Sequence, residues 1–511
     1  MANCDDTVIG EEGHMNRIGF DNEKYVKLQS QRIRDRISQF GKLYLEFGGK
    51  LFDDYHASRV LPGFEPDSKV KMLLEMKDEA EIVIAISADD IERSKRRGDL
   101  GITYDDDTLR LIDAFRGIGL YIGSVVLTHY RGQAIADKFI KRLEALGIRT
   151  YKHYIIPDYP SNVPLIISED GFGRNDYIET ERRLVVVTAP GPGSGKMATC
   201  LSQLYQEHQR GVKAGYAKFE TFPIWNLPLT HPVNVAYEAA TADLDDVNMI
   251  DPFHLDAYGV QAVNYNRDIE IFPVMNALFD DIYGYSPYKS PTDMGVNMIG
   301  YCISDDEVCC EASRQEVIRR YYTALCNFAD GKATEAEVNK IALVMKRAKI
   351  STADRKTTVA AKERLEQCEV ATAAIELEDG TILTAGTSSL LGPSAALLLN
   401  ALKHLAGIAH NVKLIPQQMI APIQKTKVTY LHGHNPRLHT DEVLVAISMM
   451  SLIDENCKLA LEQLPNLYGA QVHSTVMLSE VDRKTLKKLG IGLTCDPVRK
   501  IKIRPRVEEE L

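Results

Sequence analysis

The chain has 511 residues, 45% of them apolar, and a formal net charge of −11. At roughly 150 residues per domain this length suggests about three domains, with apolar material enough for a sizeable core. An acidic chain is a poor default binder of nucleic acid or of anionic membrane, so neither is expected as a partner, and a phosphorylated ligand would need a local basic pocket.

In chain order, residues 22–40 carry Val26, Leu28, Ile33, Ile37 and Phe40 at helical spacing. LYLEF (43–47) reads as a strand running into Gly48, Gly49 and Lys50. IVIAIS (82–87) reads as a buried strand, and DDTLRLIDAFRGIG (106–119) as an amphipathic helix opened by an aspartate cap. GLYIGSVVLT, GQAIADKFIKRLEALG and TYKHYIIP continue as strand, helix and strand. LVVVT (184–188) and the helical pattern from Lys196 extend the series. Buried strands alternating with helices predict an α/β domain with a mostly parallel sheet over residues 1–299.

Residues 300–366 change to long helical patterns, with Asp330-Gly331 as a stop and Thr334 as a cap. They read as a helical insert or a dimerisation segment, so a homo-oligomer is expected. From 367 to 511 an α+β domain is predicted. It opens with a hairpin turning at Asp379-Gly380. An apolar helix, a strand at KVTYLHG (427–433), a helix from Asp441, a strand at AQVHSTVML and a helix from Ser479 follow. The acidic opening MANCDDTVIGEEGH lacks the apolar stretch of a signal peptide, and no run approaches the ~20 apolar residues of a membrane span. Nine cysteines without a CxxC pair read as reduced thiols, and a cytoplasmic location is expected.

The stretch with the most chemistry is LVVVTAPGPGSGKMATC (184–200). A strand feeds a glycine-rich turn that opens a helix. Glycines let backbone N–H groups approach an anion, the helix N-terminus adds its own N–H groups and dipole, and a lysine adds a charge. Gly191, Gly193, Ser194, Gly195, Lys196 and Thr199 are therefore expected to bind a nucleotide or other phosphorylated cofactor. The match to a Walker A loop is incomplete: Pro190 stands at the first glycine position and Met197 at the metal-binding hydroxyl.

Five further clusters are candidates. HGHNPRLHTDE (432–442) follows the expected KVTYL strand, which would put His432 and His434 on one face, with His439 beyond. These three histidines are candidate ligands for a divalent metal, with His432 also a catalytic candidate and Arg437 a substrate contact. In HPVNVAYEAATAD (231–243), His231, Asn234, Tyr237, Glu238 and Thr241 fall near one helical face. His231 and Glu238 are acid/base candidates there, and Asn234 a substrate contact. FGGKLFDDYHASRVLPGF (47–64) follows a strand and offers Lys50, Asp54, His56 and Arg59 for substrate. His129 and Arg131 of THYRG also follow a strand, and Asn264 to Asp268 form another polar group.

The segments LYLEFGGKLFDDYHASRVLPGF, VVTAPGPGSGKMATCLSQLY, HPVNVAYEAATADLDDVNMIDPFH and LHGHNPRLHTDE together resemble the bacterial family known as domain of unknown function 1846, over nearly the whole chain. The resemblance implies a multi-domain bacterial cytosolic protein with an α/β N-terminal domain, a helical middle and an α+β C-terminal part. It carries no catalytic residues over. The residues themselves point first to a cytosolic enzyme of group transfer or ligation acting on a nucleotide or phosphorylated small molecule. A metal-dependent hydrolase built on His432, His434 and His439, and a non-catalytic ligand-sensing or scaffolding oligomer, are the alternatives.

Overall fold

The computed structural model describes residues 17–48, 51–52, 54–97, 101–242 and 246–499. Lys50, one of the expected substrate contacts, lies outside them, as does the charged tail beyond residue 499. The chain divides into two compact units, residues 18–313 and residues 314 onward.

The first unit is built on seven parallel strands: β1 (Leu43–Phe47), β2 (Ala80–Ser87), β3 (Tyr121–Tyr130), β4 (Arg149–Tyr154), β5 (Leu184–Thr188), β6 (Gly215–Phe219) and a short β9 (Gly295–Val296). Their order is β4-β3-β2-β5-β1-β6-β9. Every residue of β1, β2 and β5 is buried, as parallel strands covered on both faces require. That explains the near-continuous apolar runs of β2 and β5. A two-stranded antiparallel ribbon of β7 (Asn248–Ile250) and β8 (Val263–Tyr265) is also present.

The connection from β2 runs to β3 on one side, whereas β5 connects past β1 to β6 on the other. Neighbouring β2 and β5 thus mark a switch point, the place at the carboxyl ends of the strands where open α/β sheets generally take ligands. The glycine-rich turn follows β5 at that point.

The helix expected from Asp106 begins earlier, at Tyr104–Gly117, with Thr103 at its N-cap position. Asp107 lies inside the helix, fully buried, and binds Arg97 at 2.8 Å and Arg110 at 2.7 Å. Its carboxylate is used for an internal ion pair rather than for a cap.

In the second unit β10 (Thr372–Glu376) and β11 (Ile382–Gly386) form the expected hairpin. Thr381 N–H donates to Asp379 Oδ1 at 2.9 Å, and Gly380 takes φ +81°. β12 (Gln471–Ser474) pairs antiparallel with β10, and β13 (Gly492–Cys495) parallel with β12. The helix Pro393–Leu405 buries its apolar face against this sheet as part of the Leu398, Leu402, Ile447 and Val472 core.

The helical middle is present, as Asp306–Ala329, Glu335–Arg347 and Lys356–Cys368. The unit boundary falls inside the first of these helices rather than at residues 299 and 366. Ala360 and Ala361 of the third pack against Ala374 and Ile382 of the second sheet. The expected KVTYL strand does not form: the helix Gln417–Lys425 runs on into a π-helical turn, Thr426–Tyr430. Most of this turn is exposed, and among the described residues it pairs with no strand.

Candidate functional site

The turn after β5 is shaped by its neighbours. Gly193 and Gly195 take φ +76° and +78°, a region costly for other residues. A Cβ on Gly195 would meet the Thr128 side chain at 3.0 Å, and one on Gly191 would meet the Tyr104 hydroxyl at 2.2 Å. Thr128 Oγ1 at the end of β3 donates to Ser194 O at 2.8 Å and seats the turn over the sheet.

Ser194 Oγ donates to Gly191 O and Thr199 Oγ1 to Gly195 O, both at 2.9 Å, and both residues are buried. Each hydroxyl proton is thus committed to the backbone. These two residues brace the turn, where the sequence suggested ligand donors. What the turn presents instead is backbone. The helix Lys196–Gln209 has no side-chain cap and no acidic residue in its first turn. Its first N–H groups have no intrahelical partner.

Lys196 carries the charge at this helix start. Burial lowers its pKa, Glu46 opposes that shift, and Lys218 and Arg267 add to it. The side chain therefore sits in the field of β1 and β6. Register explains this: Glu46 of β1 lies beside Val187 of β5 and opposite Lys218 of β6. Tyr216 donates its hydroxyl to Glu46 Oε2 at 2.6 Å.

Lys218 bonds Asp268 at the start of the helix Asn266–Tyr283 and lies 3.2 Å from Glu220 Oε1. Burial drives the Glu220 carboxyl up to about 8, against the pull of Lys218 and with a push from Asp268. The Glu220 carboxyl therefore takes up a proton more readily than an ordinary glutamate does. The pKa of Lys218 is raised, because Asp268 and Glu220 outweigh its burial. Arg267 pairs with Asp246.

An aromatic wall adjoins these charges. Tyr237 stacks on Phe222 with centroids 5.3 Å apart, and His56 meets both rings edge-on. Tyr265 lies 5.7 Å from Tyr237 and donates to Phe222 O at 2.6 Å.

Several expected site residues serve the scaffold here. Asp54 caps the helix Tyr55–Val60 and pairs with buried Lys69 at 2.8 Å, and its charge reaches Tyr237. Arg59 lies exposed in the last turn of that helix. Asn234 is buried, accepts from Ile224 N–H at 2.7 Å and donates to Ile224 O and Pro228 O. Its amide faces the 224–228 backbone. Glu238 is buried in the same helix, and His231 is that helix's N-cap. His129 Nδ1 lies 3.1 Å from Ser87 Oγ, and Arg131 pairs with Asp89 at 2.5 Å, at the ends of β3 and β2.

His432, His434, Arg437 and His439 belong to the other unit. His432 and His434 are exposed, and His432 takes φ +54°. With no strand beneath them, the period-two argument for a shared face falls. His439 Nδ1 lies 2.9 Å from Asp482 Oδ2 and belongs to a capping box with Glu442. Arg437 donates to Ser388 O at 2.6 Å. Among the described residues, one group of three metal-type donors comes within 4.8 Å of one another, and it is His231, Asp306 and Cys310. The three C-terminal histidines are not such a group: two of them face solvent and the third is held in a cap.

The family models Domain of unknown function DUF1846, N-terminal, and Domain of unknown function DUF1846, C-terminal, match residues 18–349 and 353–502. The chain belongs to this family. UPF0371 proteins of Streptococcus pyogenes serotype M5 and of Streptococcus uberis are similar to it, at 56% and 55% identity over 95% of this chain and 98% of theirs. Among solved structures, the ADP form of the Aeropyrum pernix ORC2 protein aligns over 87% of each chain, with 11% identity and a TM-score of 0.15. That score is too low to support an argument. Among the described residues of this DUF1846 protein, no helix is long and apolar enough to cross a membrane.

The residues that the sequence reading passed over are Lys218 and Glu220. A signal was present: two charges close the otherwise apolar GYAKFE run at the end of a buried strand. Arg267 and Asp268 were visible only as a polar cluster of loop-like composition, because their partners lie some fifty residues or fewer upstream in another element.

Proposed function

We propose that this protein binds a phosphorylated small molecule at the carboxyl ends of β5, β1 and β6, as an enzyme of group transfer or ligation. One observation carries the reading. An uncapped helix N-terminus follows a glycine turn on the central parallel strand, and its lysine shares an electrostatic environment with Lys218 and Arg267. Backbone N–H groups of the turn and of the helix start take phosphate oxygens without Cβ hindrance.

Lys196 neutralises the anion. Desolvation lowers its pKa against the pull of Glu46, and a bound phosphate would raise it. Glu220, whose carboxyl burial pushes up, is a general-acid candidate, and Lys218 steadies the carboxylates around it. Preorganised N–H groups and cations of this kind stabilise charge that develops on a transferred group.

The test is a thermal-unfolding screen of the full chain with inorganic phosphate, ADP, ATP and sugar phosphates, with Lys196→Ala in parallel. A ligand at about 100 times its dissociation constant adds roughly 2.7 kcal/mol to the folded state. Stabilisation by one phosphate class, absent in Lys196→Ala, supports the reading. Equal stabilisation of both proteins, or none with any phosphate, overturns it.

A further inference from the structure

We propose that His231, Asp306 and Cys310 form a site for one zinc-type divalent ion, separate from the phosphate crevice. Three donors of different chemistry converge. His231 Nε2 lies 3.0 Å from Asp306 Oδ1 and 3.5 Å from Cys310 Sγ, and Cys310 Sγ lies 3.7 Å from Asp306 Oδ2. All three ligand atoms fall within 4.8 Å of one another. Separations of this size suit the edges of a tetrahedron about an ion with ligands ~2.0–2.3 Å away.

The placement comes from two helices. Asp306 and Cys310 stand one turn apart at the start of the helix Asp306–Ala329, so they share a face. His231 arrives from the N-cap of Pro232–Ala240. The His231 side chain is 10% exposed whereas that of Asp306 is 61% exposed, which leaves one side open to solvent. Three protein ligands and one open side match the pattern in which water completes a zinc shell. Imidazole, thiolate and carboxylate together favour zinc or cobalt over magnesium or calcium, whose shells are all oxygen.

The adjacent cysteine is excluded by geometry. Cys309 is buried, its thiol donates to Gly19 O at 3.3 Å, and burial pushes its pKa up to about 12. Cys310 is partly exposed and turned to His231.

Without metal, His231 Nδ1 accepts a long bond from Val233 N–H at 3.3 Å, which places the ring proton on Nε2 facing Asp306. On binding, Nε2 gives its lone pair to the ion and the ring proton moves to Nδ1, ending that long capping bond. The Cys310 thiol releases its proton to solvent, so about one proton leaves per ion bound.

The experiment loads the full chain with Co²⁺, removes excess metal, and records metal content and the near-ultraviolet thiolate-to-cobalt band. The wild type is expected to retain about one cobalt per chain and show the band. Cys310→Ser is expected to lose the band and His231→Asn to lose the metal. Asparagine is a good N-cap, so the second variant keeps the helix start while removing the ligand. Circular dichroism of the metal-free variants checks that they fold. A wild type that retains no cobalt, or a band that persists in Cys310→Ser, overturns the site. Phosphate-ligand binding is measured separately with Lys196→Ala, so failure of one assignment does not touch the other.

Discussion

Lys196 and Glu220 each hold a protonation state that their surroundings disfavour or enforce, and each makes a measurable prediction. Burial disfavours the Lys196 charge in the free protein. Lys196→Met should therefore leave thermal stability unchanged or raise it, while abolishing phosphate-dependent stabilisation. A variant that unfolds earlier without ligand would mean that the lysine is structural. For Glu220, the folded pKa of about 8 lies above the ordinary carboxyl value. The native state then binds more protons than the unfolded chain between about pH 4.3 and 8, so this residue lowers stability as pH rises through that window. Glu220→Gln should flatten the fall measured by denaturant titration from pH 5 to 8. An unchanged slope would place the charge elsewhere.

At the scale of elements, the glycine turn depends on backbone conformation and the contact between two helices of the second unit depends on side-chain bonds. Gly195→Ala puts a side chain at φ +78° and 3.0 Å from Thr128. The left-handed conformation alone costs roughly 1–2 kcal/mol. The expected outcome is lower stability together with weaker phosphate binding, both read from one thermal titration. Asp482 joins two helices of the second unit, accepting from Thr440 N–H at 2.8 Å and bonding Ser479 and His439. Burial would raise its pKa, but the bonds from His439, Ser479 and Thr440 outweigh it and hold the carboxylate at about 2. Its contribution is present above an ordinary pKa of about 3.9 and is lost as pH falls towards 2. Asp482→Asn should cost about 1–3 kcal/mol at neutral pH and reduce the acid sensitivity of this unit. Equal acid sensitivity in the variant would rule out Asp482 as the titrating group.

For the whole molecule, two compact units mean that one ligand need not stabilise both. The glycine turn, Lys218, Glu220 and Asp268 all lie within residues 18–313. Hydrogen exchange of the full chain with a bound phosphate ligand should slow in peptides from β5, β6 and the Lys196 helix. Peptides from residues 372–386 and 471–495 should exchange as before. Protection confined to the second unit would move the ligand away from the β5 turn.

The sequence by itself determined the elements whose signals are local. β2 and β5 were legible because strands buried on both faces must be apolar throughout. The 372–386 hairpin was legible because Asp379-Gly380 supplies its own turn chemistry. The glycine turn was legible as a strand-to-helix turn, since glycine takes positive φ and close approach at the least cost. Tertiary structure decided what those elements face. KVTYL has the composition of a strand, but among the described residues it pairs with none and continues a helix. Asn234 reads as a polar helix face, and the fold turns its amide onto the 224–228 backbone. Lys218 meets Asp268 fifty residues away, and His231 meets Cys310 seventy-nine residues away. Periodicity carries no information about such pairs, because they are set by strand order and helix packing rather than by neighbours along the chain.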